Sequence, residues 1–527
     1  MSSSLSTKLC VKNPDGDCDR PAAARHRNKY QKVLSRFYEP LLLLRALGQT
    51  RGDHTTISCD LGPEQVRRRR FLQTLAYIGD VGKSGISCTA IGLEDTETCY
   101  KFWIASNQVS GRIVDFFQTV LGHLEAIFSH SPDALKQDRS SLVILCVSFA
   151  AKRIREETKT LVRKIKECYP IPGAPKTREG MYAPGKKKRS LFCSPLNRSP
   201  DQELRDWLYS VVEQDSDLKL CCYAYKHRHS TFLELLTRKS HERKDQEDHF
   251  GKQSPFASVR HCFGRLAEHI RAPLQLIEDA GHLSQLLDSY EVCAIEPIAP
   301  VPRQFPDSQT TPRGILNRML RKDDPEWPQI EEALHLIDFK AGTFEQFWNL
   351  YRNCTPQVHA EIQVLEHFYR NQLRFVGNDR YVACSKPACL CCEMYFIHHP
   401  ARMVVPASHN KVWTNWSPPL VERFAKNEPE SRLQLDILNE MTAKIRRLAI
   451  AQILKQSPAS HWHPDSLTNI TVPRQLSCNF SEFSFDGSSD DNVATTPDRS
   501  TTEIPSPPSQ GDDLTEDSNS EARGVSI

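Results

Sequence analysis

The sequence predicts an α/β protein with a long, almost entirely helical stretch between two strand-bearing regions and with disordered ends. Three observations predict this. Hydrophobic residues change from helical to alternating period over Ile86 to Leu93 and Cys99 to Ala105. Short strand-like runs alternate with helical ones again between Thr355 and Pro406. Between these stretches, from Gly111 to about Phe347, the pattern is helical almost throughout. The two ends are polar and pattern-free, and the region beyond Ser457 is rich in Ser, Pro, Asp and Thr and ends acidic.

Taken in order, residues 1–29 read as disordered. From Tyr30, Val33, Phe37, Leu41 and Leu44 fall at helical spacing, and Phe71 to Gly82 repeats the pattern and stops on glycine. The two strands follow, joined by a turn at Glu94 to Thr98, and Asn107 closes the second. Residues 108–345 form the helical insert. It comprises Leu142 to Cys168, Leu204 to Leu236, Phe256 to Tyr290 and Ile330 to Tyr351, with a Pro-, Gly- and Lys-rich linker over about 169–200 and a loop from Pro297 to Pro312. From 346 to 420 short strand-like and helical runs alternate again. There Thr355-Pro356 reads as a capped helix start, Arg380 to Cys384 as a strand, Cys389 to His398 as a helix and Met403 to Pro406 as a strand. A C-terminal helix spans 421–456, and 457–527 form a disordered acidic tail.

Composition excludes several classes. The net charge of +3 over 527 residues is too small to argue for nucleic acid by itself. Positive charge concentrates only at Arg67 to Arg70 and Lys186 to Arg189, and the second run fits a nuclear-import patch or a solvated loop. The 18 cysteines lie in a long chain whose opening residues hold no apolar secretion signal, which points to reduced thiols rather than a disulfide framework. The longest apolar run, Leu142 to Ala151, is far short of the roughly 20 residues a membrane helix needs. The expectation is an intracellular protein of cytoplasm or nucleus, with no membrane contact.

The chemistry concentrates between Thr355 and Trp416. His359 and the pair Cys389/Cys392 supply one imidazole and two thiolates, three ligands for zinc, with one tetrahedral position left open. Structural zinc sites close all four positions; catalytic ones keep one free. Cys389 and Cys392 are three residues apart, so on a helix both sulfurs face one way, and the helix start favours thiolate. Cys384 and Cys391 remain rival ligands: a closed set of His359, Cys384, Cys389 and Cys392 would be structural zinc. The alternative without metal is core filling, since free cysteine is often buried. Glu361, two residues from His359, suits a proton carrier. On a regular helix those two residues point about 200° apart, so they share a pocket only at a helix start.

The segments VHAEIQVLEHF, CSKPACLCC and SHNKVWTNW, with the strand pair ending FWIASN, resemble the fungal branch of the nucleic acid/nucleotide deaminase superfamily, relatives of cytidine deaminases and bacterial toxin deaminases. An H-x-E followed by C-x-x-C is the pattern of zinc deaminases. The resemblance implies a three-layer α-β-α cytidine deaminase-like core begun within residues 30–107, split by the helical insert 108–345 and completed by 346–420, with His359 and Glu361 at the helix start. It also implies a Zn2+ cofactor held by His359, Cys389 and Cys392, with Glu361 moving protons in the deamination of cytosine or adenine. The partner implied is a nucleobase-containing substrate, a nucleotide or nucleic acid. Asn107 matches an asparagine that contacts substrate in relatives, and simple turn formation is the competing reading. His409, Trp413 and Trp416 stand where a pocket wall or stacking platform would lie, or else fill the core. One departure is Ala388 between Pro387 and the first cysteine, which leaves the register open between Cys389/Cys392 and one involving Cys391. The competing functional class is an inactive deaminase-like scaffold with structural zinc, and the insert could carry a protein partner in either case.

Overall fold

In the computed structural model the described residues are 27–48, 54–55, 61–82, 85–107, 111–129, 134–169, 199–242, 254–321 and 323–456. They belong to one unit, Met1–Phe483; the other, Ser484–Ile527, lies wholly outside them. The expected disordered ends and the 169–200 linker, with its basic run, lie outside the described residues except at their edges.

The chain opens with α1 (Lys29–Ala46), capped by Asn28, and α2 (Pro63–Ile78), which starts on a proline. The hairpin follows as β1 (Thr89–Asp95) and β2 (Tyr100–Ser106), paired antiparallel with Ile91 opposite Ile104. The insert contributes α3 (Gly111–Ser129), α4 (Ala134–Phe149), α5 (Ala151–Cys168), α6 (Pro200–Val212), α7 (Asp217–Lys226), α8 (Thr231–Glu242), the 28-residue α9 (Pro255–His282) and the short α10 (Gln285–Asp288). Then come β3 (Tyr290–Ala294), α11 (Pro312–Met319), α12 (Trp327–Ala341) and α13 (Thr343–Asn353). The last part holds α14 (Ala360–Arg370), the two-residue β4 (Ala383–Cys384), α15 (Leu390–His398) and α16 (Pro429–Lys455). Among the described residues no helix is long and apolar enough to cross a membrane.

The sheet is mixed and runs β3-β2-β1-β4, with β4 antiparallel to β1 and β3 parallel to β2. Alternation along the strands sends side chains to two different cores. Ile91, Leu93, Phe102 and Ile104 pack with α2, α3 and α9; Ala90 and Ala105 pack with α1, α14, α15 and α16. The helices therefore cover both faces, as an α/β core requires. On the α14 side the inner residues of β1, Ala90 and Gly92, are small for a reason. A Cβ on Gly92 would sit 2.4 Å from Phe368 and 2.8 Å from Val364, so glycine lets α14 press directly onto β1.

Several expected elements differ. β3 lies at the end of a span read as helical; its residues YEVCA are strand-prone, but their length is too short for periodicity to separate them from the helix before. The long helix expected from Leu142 to Cys168 is broken at Ala150 into α4 and α5. Thr355-Pro356 does not start a helix: Gln357 instead pairs with Trp416 in an extended stretch, its N–H donating to Asn415 O at 2.7 Å, and α14 begins at Ala360. Met403 to Pro406 forms no strand, although Val404 N–H still reaches Arg380 O.

The Arg67 to Arg70 run is mostly structural. Arg69 meets Asp379 with two bonds, of 2.9 and 2.6 Å, and Arg70 meets Asp279 of α9. A buried ionic cluster then ties the insert to the core. Arg153 of α5 donates to Asp80 O and Glu157, and Glu157 also meets Arg265 and His269 of α9. Asp80 in turn accepts from Ser87 and pairs with Lys386 at 2.7 Å, in the loop before Cys389. Burial alone would raise the Glu157 carboxyl; Arg265, His269 and Arg153 outweigh it and hold it well below the usual range.

Candidate metal centre

His359 is the N-cap of α14, in extended conformation (φ −72°, ψ 152°), and Glu361 lies in the first turn. This removes the 200° conflict, because the imidazole leaves from non-helical backbone while the carboxylate leaves from the helix. Asn107, at the end of β2, fixes the junction. Its Oδ1 accepts from Ala360 N–H at 2.7 Å, its Nδ2 donates to Gly85 O at 2.8 Å, and its carbonyl accepts from the Gln357 amide. The hairpin end thus caps the helix that carries the imidazole and the carboxylate.

Cys389 is the N-cap of α15 and its sulfur accepts from Cys392 N–H, so the C-x-x-C forms its own cap. Pairing of Ala388 with Ser408 and a bond from Leu390 N–H to Lys411 O hold that end of the helix. The two helix starts meet: His359 Nδ1 is 3.3 Å from Cys392 Sγ and 3.7 Å from Cys389 Sγ, and all three donor atoms lie within 4.8 Å of one another. Behind them, α14 and α15 are clamped by Glu366, which accepts from Tyr395 Oη at 2.5 Å and meets His399 at 3.3 Å.

The electrostatics suit a divalent cation. Burial opposes charge on His359, yet the Cys389 thiolate outweighs it and raises the imidazole to about 9. Burial likewise opposes a Cys389 thiolate, but the bond from Cys392 and the His359 charge bring it down to about 6. Cys392 is pushed well above its ordinary value by burial and by the Cys389 charge. Three converging soft and borderline donors, two still holding protons near neutral pH, are what a zinc ion would occupy with proton release. Glu361 is 4% exposed, and its Oε2 is buried with no hydrogen-bond partner among the described residues.

The rival cysteines are elsewhere. Cys384 lies against Cys88, Sγ to Sγ 3.2 Å, and Cys391 is buried in the apolar core. The three substrate candidates are also placed. Asn107 has both ends of its amide engaged, at Ala360 and Gly85. His409 is 4% exposed, with Nδ1 accepting from Lys411 N–H and the Trp413 indole beside it. Trp416 is fully buried between α1 and α15 and presents no face to solvent; its Nε1 donates to Cys392 Sγ at 3.2 Å, so it supports a ligand sulfur. Trp413, by contrast, is 37% exposed. Sequence reasoning missed Cys88 and the Asp80–Lys386 pair; neither carries a motif, and only strand pairing brings them here.

Fold and site together define an α/β protein with a His-Cys-Cys constellation at two converging helix starts and, beside it, a buried carboxylate whose Oε2 has no hydrogen-bond partner among the described residues. Residues 358–420 match the model of the OTT_1508-like deaminase family, which relates the chain to the deaminase superfamily through this segment. No curated protein and no solved structure matches the chain.

Proposed function

We propose that this protein is a zinc-dependent hydrolytic deaminase with a cytidine deaminase-like core, acting on a cytosine or adenine base in a nucleotide or nucleic acid. The observation that carries the proposal is the His359/Cys389/Cys392 triad with Glu361 buried and unpartnered at Oε2 beside it, inside the deaminase-matching segment. Zinc held by the triad would make a water molecule acidic near neutral pH. In this reading Glu361 takes a proton from the attacking water and returns it to the ring nitrogen, then carries the second to the departing amino group. Water is thereby exchanged for ammonia, and cytosine becomes uracil or adenine becomes hypoxanthine. Asn107 and Trp416 act through others: one holds the start of α14, the other donates to the Cys392 sulfur. Because the ligands work only as free thiolates, the proposal places the protein in a reducing compartment, cytoplasm or nucleus. The helical insert, tied to the Lys386 loop through Asp80 and Arg153, is proposed as the surface for a protein partner.

The test is ammonia release from a panel of cytosine and adenine nucleosides, nucleotides and oligonucleotides, with Glu361→Gln alongside. The variant is expected to retain zinc and lose about 10²- to 10⁴-fold in turnover, the usual contribution of a positioned acid/base. Undiminished turnover would remove Glu361 from the mechanism. Wild-type protein with zinc bound and no turnover on any substrate in the panel would favour the scaffold reading.

A further inference from the structure

A second group of donors includes Glu361 itself. Cys88, just before β1, and Cys384, in β4, approach to 3.2 Å between sulfurs, and a Glu361 carboxylate oxygen completes a triad whose donor atoms are all within 4.8 Å. All three side chains are buried, at 7%, 8% and 4% exposure. They come from three elements pinned independently of any ligand. Asn107 N–H bonds Cys88 O, Ser385 N–H bonds Thr89 O, and Thr89 N–H bonds Ser385 Oγ. The strand register that sets Ala90 opposite Cys384 fixes the approach of the two thiols. Glu361 Oε2 has no hydrogen-bond partner there among the described residues.

We propose that Cys88, Cys384 and Glu361 form a second metal site, for a thiophilic divalent cation such as zinc, and that filling it withdraws Glu361 from proton transfer. The first half stands on geometry alone; the second rests on the deaminase reading. Two thiolates at about 2.3 Å from one tetrahedral zinc lie roughly 3.7 Å apart, so the pair opens by about half an ångström to admit the ion. Binding moves the two thiol protons to solvent, and the cation takes two thiolates and the carboxylate in their place. A soft two-sulfur set selects zinc over magnesium or calcium. Glu361 would then be shared: free, it serves the His359 triad; coordinated, it cannot accept a proton. High free zinc would then inhibit the enzyme through a site separate from the first.

The test titrates metal-free, full-length protein with zinc in the presence of reductant and measures bound zinc per chain. Wild type is expected to bind two. Cys88→Ala/Cys384→Ala and Cys389→Ala/Cys392→Ala are each expected to bind one, with circular dichroism confirming that each is folded. An unmutated readout runs beside these: cobalt(II) added to wild type should keep raising thiolate-to-metal charge-transfer absorption through a second equivalent. Activity should fall as the second zinc binds and resist excess zinc in Cys88→Ala/Cys384→Ala. Wild type saturating at one zinc, retained by Cys88→Ala/Cys384→Ala, would overturn the second site and leave the deaminase reading intact. Two zinc ions in Cys88→Ala/Cys384→Ala would also overturn it. A single zinc lost only with Cys88 and Cys384 would support this site and take the metal away from the His359 triad. Two bound ions with unchanged turnover would overturn the inhibitory half.

Discussion

Asn107→Ala tests how the hairpin end holds the metal helix. The substitution leaves Ala360 N–H, on a residue with 0% exposure, without the acceptor now at 2.7 Å, and removes the donor to Gly85 O. A buried orphaned donor costs about 1–3 kcal/mol. Gly85 is exposed, so water replaces the second bond and its loss adds only about 0.5 kcal/mol. The sum, about 2.5 kcal/mol, corresponds to a midpoint lowered by roughly 2–3 °C for a chain of this size. Because His359 immediately precedes Ala360, loosening the helix start should also weaken metal binding, about 10- to 100-fold as for other supports of metal ligands. Asn107→Asp keeps the acceptor and places a negative charge at a helix N-terminus, so it should lose less than about 1 kcal/mol. Thermal unfolding and chelator competition on both variants decide the matter. Equal losses for Ala and Asp, or an Ala variant with unchanged stability and metal affinity, would refute the capping role. A pure substrate contact would instead raise KM and leave both quantities untouched.

Trp416→Phe keeps the buried ring but deletes the N–H to Cys392 Sγ, and should lower zinc affinity about tenfold in chelator competition while the fold persists; unchanged affinity would mean that the bond does not steady the ligand. Metal affinity should also rise with pH. Near pH 7 Cys389 is already thiolate, while His359 (about 9) and Cys392 (well above its ordinary value) still hold protons, so uptake at this triad expels about two protons and log K gains about two per pH unit. Below about 6 the Cys389 proton steepens that slope, and above about 9 it flattens; a flat profile at pH 7 in Cys88→Ala/Cys384→Ala would contradict this assignment. Glu157→Leu leaves Arg153 and Arg265 buried without their carboxylate and should cost about 3–5 kcal/mol in thermal unfolding at pH 7. Since that carboxyl is held below its unfolded value of about 4.3, its stabilisation is complete above that pH and fades as pH falls further, so wild type and variant should converge in acid. Curves that stay parallel would remove Glu157 from the acid response.

The residues of the metal triad were legible in the sequence because ligand chemistry restricts side-chain types and one helical turn restricts spacing: His359, Glu361, Cys389 and Cys392 stand out with no structure at hand. The hairpin was legible for a similar reason, since alternating aromatic and β-branched side chains over Cys99 to Ala105 suit a strand packed on both faces and fit no helix. Three features became visible only in the tertiary structure. They are the Asn107 cap, the indole of Trp416 on the Cys392 sulfur, and the Cys88–Cys384 pair. These join residues 253, 24 and 296 positions apart, through sheet register or packing of separate elements, and no local periodicity encodes such pairings. β3 belongs with them: five residues after a helix become a strand only because β2 offers a free edge. Local chemistry wrote the ligands into the sequence, and long-range packing decided which atoms they meet.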